Sequence, residues 1–146
     1  MLRPDLGYLM RIIGLDLGER RIGIAVSDIL GMIASGVESY TRKTIEEDYA
    51  HIVDIVRQYS AERIVVGLPR NMNGTFGPQA EKYTEMGNEI ARLTGVEVVF
   101  EDERLTTSVA QRTLIAADVR RDKRKKVVDT MAAQIILQGY LDRMSK

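Results

Sequence analysis

The sequence predicts an α/β domain: three meandering strands, then helix, strand, helix and strand, then two helices. Three observations carry that prediction. The segments Ile12-Ile13-Gly14-Leu15-Asp16-Leu17 and Ile22-Gly23-Ile24-Ala25-Val26 are short apolar strands joined by the polar turn Gly18-Glu19-Arg20-Arg21, which makes a hairpin. Further on, Ile64-Val65-Val66-Gly67-Leu68 is a continuous β-branched run, the pattern of a strand buried on both faces. The segments around and after it repeat their apolar residues at helical spacing.

At 146 residues the chain has the size of one domain with a proper core. Met10 directly precedes the first strand, so residues 1–9 read as a short N-terminal extension, frayed or upstream of the native start, and 10–146 as a single domain. Lysine and arginine (21) balance aspartate and glutamate (21), so whole-molecule attraction to a polyanion is not indicated and any electrostatic footprint must be local. The absence of cysteine excludes disulfides, thiolate metal sites and a cysteine nucleophile together. A single histidine, His51, speaks against a histidine-based triad or a multi-histidine zinc site. No apolar run approaches the ~20 residues of a membrane span, and residues 1–9 lack the apolar centre of a signal peptide. The chain therefore reads as cytoplasmic, with no membrane partner.

The third strand is expected over 33–40, antiparallel to the second. Thr44-Ile45-Glu46-Glu47 carries a capping box, threonine at the cap and glutamate three residues on. From there Ile45, Tyr49, Ile52, Val53, Val56 and Tyr59 form a stripe that should face the sheet, with His51 on its flank. The buried strand ends at Pro69 and opens into a turn-rich loop, Arg70-Asn71-Met72-Asn73-Gly74-Thr75-Phe76-Gly77-Pro78. Such a loop, at the carboxyl end of a central strand, is where open α/β sheets bind ligands. A helix follows from about 78 to 93, with Pro78 suited to its first turn and Gly95 closing it. The next strand, over 96–101, runs into Asp102-Glu103-Arg104, and a helix from Thr106 or Thr107 reaches about Asp118. Six of the seven residues 120–126 are basic, which fits a solvated loop or a local phosphate-backbone footprint. The last helix begins at about Val127, with Ala132, Ala133, Ile136, Leu137, Tyr140 and Leu141 on one face and Asp129 on its first turn.

Four acids at three places stand out. Asp16 lies inside an apolar strand, where a carboxylate is costly unless something pairs with it, and Gly14, Gly18 and Gly23 clear bulk around it. Asp102 and Glu103 fall on opposite faces of the next strand end, so at most one aims at a common site. Asp129 is on the helix face that packs toward the sheet; at a helix start the macrodipole alone would favour it by about 0.3–1 kcal/mol. Acids on the first strand, at the last strand end and on the final helix provide oxygen ligands of the kind Mg2+ and Mn2+ prefer. Paired ions ~4 Å apart serve phosphoryl transfer without any histidine or cysteine.

Four blocks in order resemble the YqgF/RuvX family of bacterial pre-16S rRNA nucleases and Holliday-junction-resolvase-like proteins, within the RNase H-like superfamily. They are Gly14-x-Asp16-x-Gly18 with Arg20-Arg21-Ile22-Gly23-x-Ala25-x-Ser27-Asp28; Gly67-Leu68-Pro69 through Gly74-x-x-Gly77-Pro78-Gln79; Asp102-Glu103-Arg104-Leu105-Thr106-Thr107; and Val128-Asp129-x-x-Ala132-Ala133 with Ile136-Leu137-Gln138. The match covers residues 10–142 with no departure inside the blocks. The resemblance implies an RNase H-like fold, a five-stranded mixed sheet flanked by helices, and a divalent-metal nuclease maturing the 5′ end of 16S ribosomal RNA. It implies Asp16, Glu103 and Asp129 as catalytic and metal-binding acids, with Asp102 the fallback for the middle position, and Mg2+ or Mn2+ as cofactor. Arg20, Arg21, Asn71, Gln79, Arg104, Arg120, Arg121, Lys123, Arg124, Lys125 and Lys126 are the expected nucleic-acid contacts.

The expected partner is structured RNA ahead of branched DNA, alongside ribosome assembly factors, with the chain a monomer or weak homodimer. A resolvase acting on branched DNA needs two active sites facing one junction, so a stable dimer would favour that alternative. A non-catalytic nucleic-acid-binding factor in ribosome biogenesis or transcription is opposed by acids at all three positions. Gly14-x-Asp16-x-Gly18 also resembles the phosphate turn of actin-like ATPases, but those close two domains around a nucleotide and this chain has one.

Overall fold

A computed structural model describes residues 10–68, 77–102 and 121–144, with the side chains of the last segment described from 130 onward. Strands β1 (Arg11–Leu17), β2 (Arg21–Ser27) and β3 (Ala34–Thr41) precede helix α1 (Ile45–Tyr59), β4 (Ala61–Leu68), α2 (Pro78–Thr94) and β5 (Glu97–Asp102). Helix α3 (Arg121–Met144) follows. The five strands form one mixed sheet in the order β3-β2-β1-β4-β5. The β1–β2 and β2–β3 pairs are antiparallel, while β1–β4 and β4–β5 are parallel. The carboxyl ends of β1, β4 and β5 therefore lie at one edge of the sheet, together with the β1–β2 turn and the end of β3.

Alternation along the strands gives each sheet face its own core. Ile13, Leu15, Ile22, Ile24, Ile64 and Val66 pack with Ile52, Ile55 and Val56 of α1 and with Tyr83, Met86 and Ile90 of α2. On the other face, Ile12, Ala25, Ala34 and Val65 pack against Ala133, Ile136, Leu137, Tyr140 and Leu141 of α3. The expected apolar face of the last helix is thus the one buried. Ile64, Val65 and Val66 have no exposure at all, as their β-branched run requires for a strand covered on both sides.

Local signals place the element ends. Thr44 caps α1, its Oγ1 accepting from the Glu47 amide at 3.1 Å and donating to Glu47 Oε1, also at 3.1 Å. Gly95 ends α2 in the left-handed region (φ 70°), its amide donating to the Ala91 carbonyl at 2.9 Å. At the far edge of the sheet, buried Ser27 accepts the Ile12 amide at 2.9 Å and so satisfies a donor beyond the last β1–β2 backbone pair, Ile13 with Val26.

Two expectations need correction. Helix α3 begins at Arg121, not Val127, so 121–126 is helical rather than loop, and Asp129 sits beyond the second turn rather than on the first. Lysine and arginine are good helix formers, and that propensity carries the helix past the point where apolar periodicity ends. The macrodipole, which acts within the first turn, thus gives no structural reason for an acid at 129. On α1, Ile45 is 39 % exposed whereas Asp48 is completely buried, so the face turned to the sheet is rotated from the expected stripe. Residues 1–9, the 69–76 part of the loop after β4, and the helix expected to end near Asp118 lie outside the described residues.

Candidate active site

Asp16 is the penultimate residue of β1, partly buried, and directly opposite Gly23 on β2. It shares its face with Ile12 and Gly14, the face covered by α3. The glycine opposite places no side chain directly across β2 from the carboxylate. One step beyond the Leu15–Val66 pair, the parallel register carries Asp16 to the level of Gly67 and, through Gly67, of Glu101 on β5. Glu101 is held by an ion pair with Arg143 of α3.

The direction of α3 follows from its contacts. Gln138 spans the Met32 carbonyl and the Ala34 amide at 2.9 Å each. One turn earlier, Gln134 donates to the Ala34 carbonyl at 3.1 Å. One turn earlier again, Thr130 lies against Gly36. The helix thus climbs toward the carboxyl edge as it is followed back to its N-terminus. Ala133 and Leu137 stand over Gly14, and Asp129 occupies the backbone position one turn further in that direction, as Asp16 does two residues further along β1.

Asp102 pairs with Leu68, whose side chain belongs to the α1–α2 core, so its register position is on the sheet face away from α3. Glu103 lies outside the described residues, as do Asn71, Arg104 and Arg120. Among the described residues no three histidine, cysteine, aspartate or glutamate side chains converge as a metal site. Of the expected nucleic-acid contacts, Arg20 is exposed at the hairpin turn and Arg21 opens β2. Gln79, in the first turn of α2, donates to Glu19 Oε1 at 3.3 Å. Arg121, Lys123, Arg124, Lys125 and Lys126 occupy the first turns of α3.

Asp28, although part of the first motif, stands at the opposite edge of the sheet. Its Oδ1 accepts the amides of Ile33 and Met32 at 3.1 and 2.8 Å, and these bonds hold its carboxyl below the ordinary value. That acid stabilises the β2–β3 turn. Asp48, which no periodicity singled out, anchors the hairpin edge instead. Its Oδ2 accepts Arg42 Nε and its Oδ1 the Lys43 amide, each at 2.9 Å. Burial pushes its carboxyl up, but the Lys43 amide, the Arg42 guanidinium and the Tyr40 hydroxyl outweigh burial and bring it below the ordinary value. Arg42 Nη1 also donates to the Gly18 carbonyl at 2.9 Å, tying the hairpin turn to α1.

The family model described as "RuvX: Holliday junction resolvase" matches residues 10–143. The chain belongs to the RuvX family. A RuvX relative from Heliobacterium modesticaldum, named "Putative pre-16S rRNA nuclease", is 51 % identical over 133 residues, covering 91 % of this chain and 89 % of the relative. A relative of the same name from Halalkalibacterium halodurans is 51 % identical, covering 92 % of this chain and 97 % of its own. Among solved structures, T. thermophilus RuvC in complex with Holliday junction substrate matches with a TM-score of 0.60 at 14 % identity, over 94 % of this chain and 97 % of that one. The fowlpox virus Holliday junction resolvase matches at 0.55 and 10 %, over 92 % and 99 %. These likenesses establish the RNase H-like fold expected from the four motif blocks, and RuvX membership makes the chain a nuclease.

Proposed function

We propose that the chain is a divalent-metal-dependent endonuclease that hydrolyses phosphodiester bonds in structured RNA, foremost in maturing the 5′ end of the 16S ribosomal RNA precursor. The name shared by the half-identical relatives supports the substrate. The observation that carries the chemistry is the packing of α3 on β1. With Ala133 and Leu137 over Gly14, the first-strand acid and the α3 position of Asp129 advance together toward the carboxyl edge.

Asp16, Glu103 and Asp129 are the proposed ligands. They form an oxygen-only donor set on a chain without cysteine, which fits Mg2+ or Mn2+ and disfavours soft or imidazole-seeking metals. The register position of Asp102, on the α1–α2 face, supports Glu103 as the middle acid. When bound, the metal supplies Lewis acidity and a water of lowered pKa. The protein's own part is positional. Asp16 is fixed by its pairing with Gly23 on β2, one residue past the last β1–β4 pair at Leu15, and α3 sets the height of Asp129 through backbone packing rather than a flexible loop. The basic first turns of α3 would neutralise backbone phosphates near the scissile bond, and Arg20 and Arg21 those of the strand leading away from it. We place the reaction in the cytoplasm, with ribosome assembly factors as protein partners and the chain as a monomer or weak homodimer.

The test is cleavage of a 16S precursor 5′-end fragment with Mg2+ or Mn2+, beside a four-way DNA junction and an RNA duplex, with Asp16→Asn as the control for contaminating nuclease. Metal-dependent cutting of the precursor that disappears in the variant is the expected result. Cutting confined to the junction, by a stable dimer, would favour the resolvase reading that the family description supports. Binding without cutting of any substrate would overturn the catalytic reading.

A further inference from the structure

We propose that the cleft between the β1–β2 turn, the end of β3 and α2 is a second phosphate-binding site, one that grips the nucleic-acid backbone a few nucleotides from the bond that is cut. The proposal rests on the nuclease reading above and extends it to how the substrate is held. The cleft has a volume of about 410 Å³ and is lined by five cations, Arg20, Arg21, Arg42, Lys43 and Lys82, against one acid, Glu19. These cations come from three separate parts of the chain, the β1–β2 turn, the β3–α1 connection and α2. Among the described residues none forms an ion pair with Arg20, Lys43 or Lys82. Arg42 is balanced by Asp48, so in a molecule with no net charge it is Arg20, Lys43 and Lys82 that focus a positive field on a polyanion.

The cleft is built, not a chance meeting of mobile side chains. Arg42 is fixed from two directions, to Asp48 Oδ2 and to the Gly18 carbonyl at 2.9 Å each, and so forms a rigid wall of the cleft. The Arg42 amide also donates to the Arg20 carbonyl at 2.8 Å, locking the turn to the end of β3. The Lys43 amide is held by Asp48 Oδ1, so the position of Lys43 is set by the same buried carboxylate.

Its place relative to Asp16 specifies the ligand. Both lie at the carboxyl edge of the sheet, but Asp16 is on the α3 face and the cleft extends to α2 on the other. Arg20 follows Asp16 by four residues, at most roughly 14 Å of chain, or about four base steps at the ~3.4 Å spacing of one duplex strand. A strand cut at Asp16 and continuing over the hairpin turn reaches the cleft with its next phosphates. The ligand is therefore a phosphodiester strand that extends several nucleotides beyond the cut, whose phosphates the cations read without regard to base.

The test measures binding of the 16S precursor 5′-end RNA and of a four-way DNA junction in metal-free buffer across a salt series. It compares wild type, Lys43→Gln/Lys82→Gln, and the charge-matched control Arg57→Gln/Arg92→Gln on the outer surface of α1 and α2. Lys43 and Lys82 are exposed, so their loss leaves the core intact. The expected result is that the cleft variant lowers the slope of log affinity against log salt by roughly 1.4 for single-stranded to 1.8 for duplex ligand, while the control keeps the wild-type slope. Equal slopes for wild type and cleft variant, or equal losses in both variants, would overturn the proposal. So would a cleft variant that loses binding of inorganic phosphate yet holds RNA and DNA like wild type, since that marks a small-anion site. If wild type cuts the precursor and the cleft variant binds it normally, the cleft proposal fails and the nuclease reading stands. If wild type binds neither nucleic acid, both fail.

Discussion

A Cβ atom on Gly14 would stand 2.8 Å from the Cβ of Leu137 and 3.0 Å from the Ala133 carbonyl oxygen. The absence of a side chain at one position of β1 therefore sets how closely α3 seats on the sheet. Gly14→Val would push the helix outward, and with it the backbone that carries Asp129. Overpacking of this kind costs about 1–3 kcal/mol, which a lower urea midpoint would register. Cleavage should fall further than the loss of folded protein explains. A variant as stable and as active as wild type would show that the close seating is dispensable.

Asp16→Asn keeps the shape of the side chain and removes its charge. Cleavage should drop by more than the roughly 10–100-fold typical of substituting an outer-shell partner of a metal site. Thermal stability in metal-free buffer should be equal or slightly raised, because carboxylates gathered without a cation repel one another. Full activity with magnesium would remove Asp16 from the mechanism.

Asp48 should make the hairpin edge sensitive to acid. Its carboxyl titrates lower in the folded chain than in the unfolded one, despite burial, because the Lys43 amide and Arg42 favour the charged form. The stability it contributes is therefore complete above about pH 4, the unfolded carboxylate value, and is lost as pH falls through the lower folded value. Asp48→Asn should cost about 3 kcal/mol at neutral pH, since it leaves the poorly exposed Arg42 without its counter-charge. The gap between variant and wild type should narrow as the medium is acidified below pH 4. Denaturant midpoints at pH 7 and pH 3 check both statements.

Ser27→Ala removes the acceptor for the buried Ile12 amide and the donor to the Asp28 carbonyl, each bonded at 2.9 Å. An orphaned buried N–H costs about 1–3 kcal/mol. Ser27 stands at the sheet edge opposite Asp16, so a fall in stability with unchanged cleavage per folded molecule is expected. A selective loss of activity would instead connect Ser27 to the reaction.

Local patterning announced much of this architecture. Threonine and glutamate three residues apart start α1, Gly95 stops α2, and the alanine-rich stripe of α3 covers the sheet. Asp16 stood out because a carboxylate in an apolar strand demands a reason. Asp48 did not, because what makes its burial tolerable is the Arg42 guanidinium and a backbone amide, and neither leaves a periodic trace. The start of α3 at Arg121 was hidden because a basic run has helix propensity but no apolar face to count. The basic cleft was invisible for a third reason: Arg42, Lys43 and Lys82 look like ordinary surface cations until the sheet brings the end of β3 and the first turns of α2 to one edge.

Among the described residues α3 is the helix that covers one sheet face, and that governs how the molecule can be made. All five strands leave the ribosome before residues 133–141 do, so Ile12, Ala25, Ala34 and Val65 lack their α3 partners while the chain is still growing. At about 5–20 residues per second, the hundred or so residues between Asp16 and α3 keep that face without α3 for several seconds. A nascent chain in that interval offers an apolar surface to chaperones. It also holds the first-strand acid without the helix that seats beside it, so a partly synthesised chain cannot assemble the full acidic site.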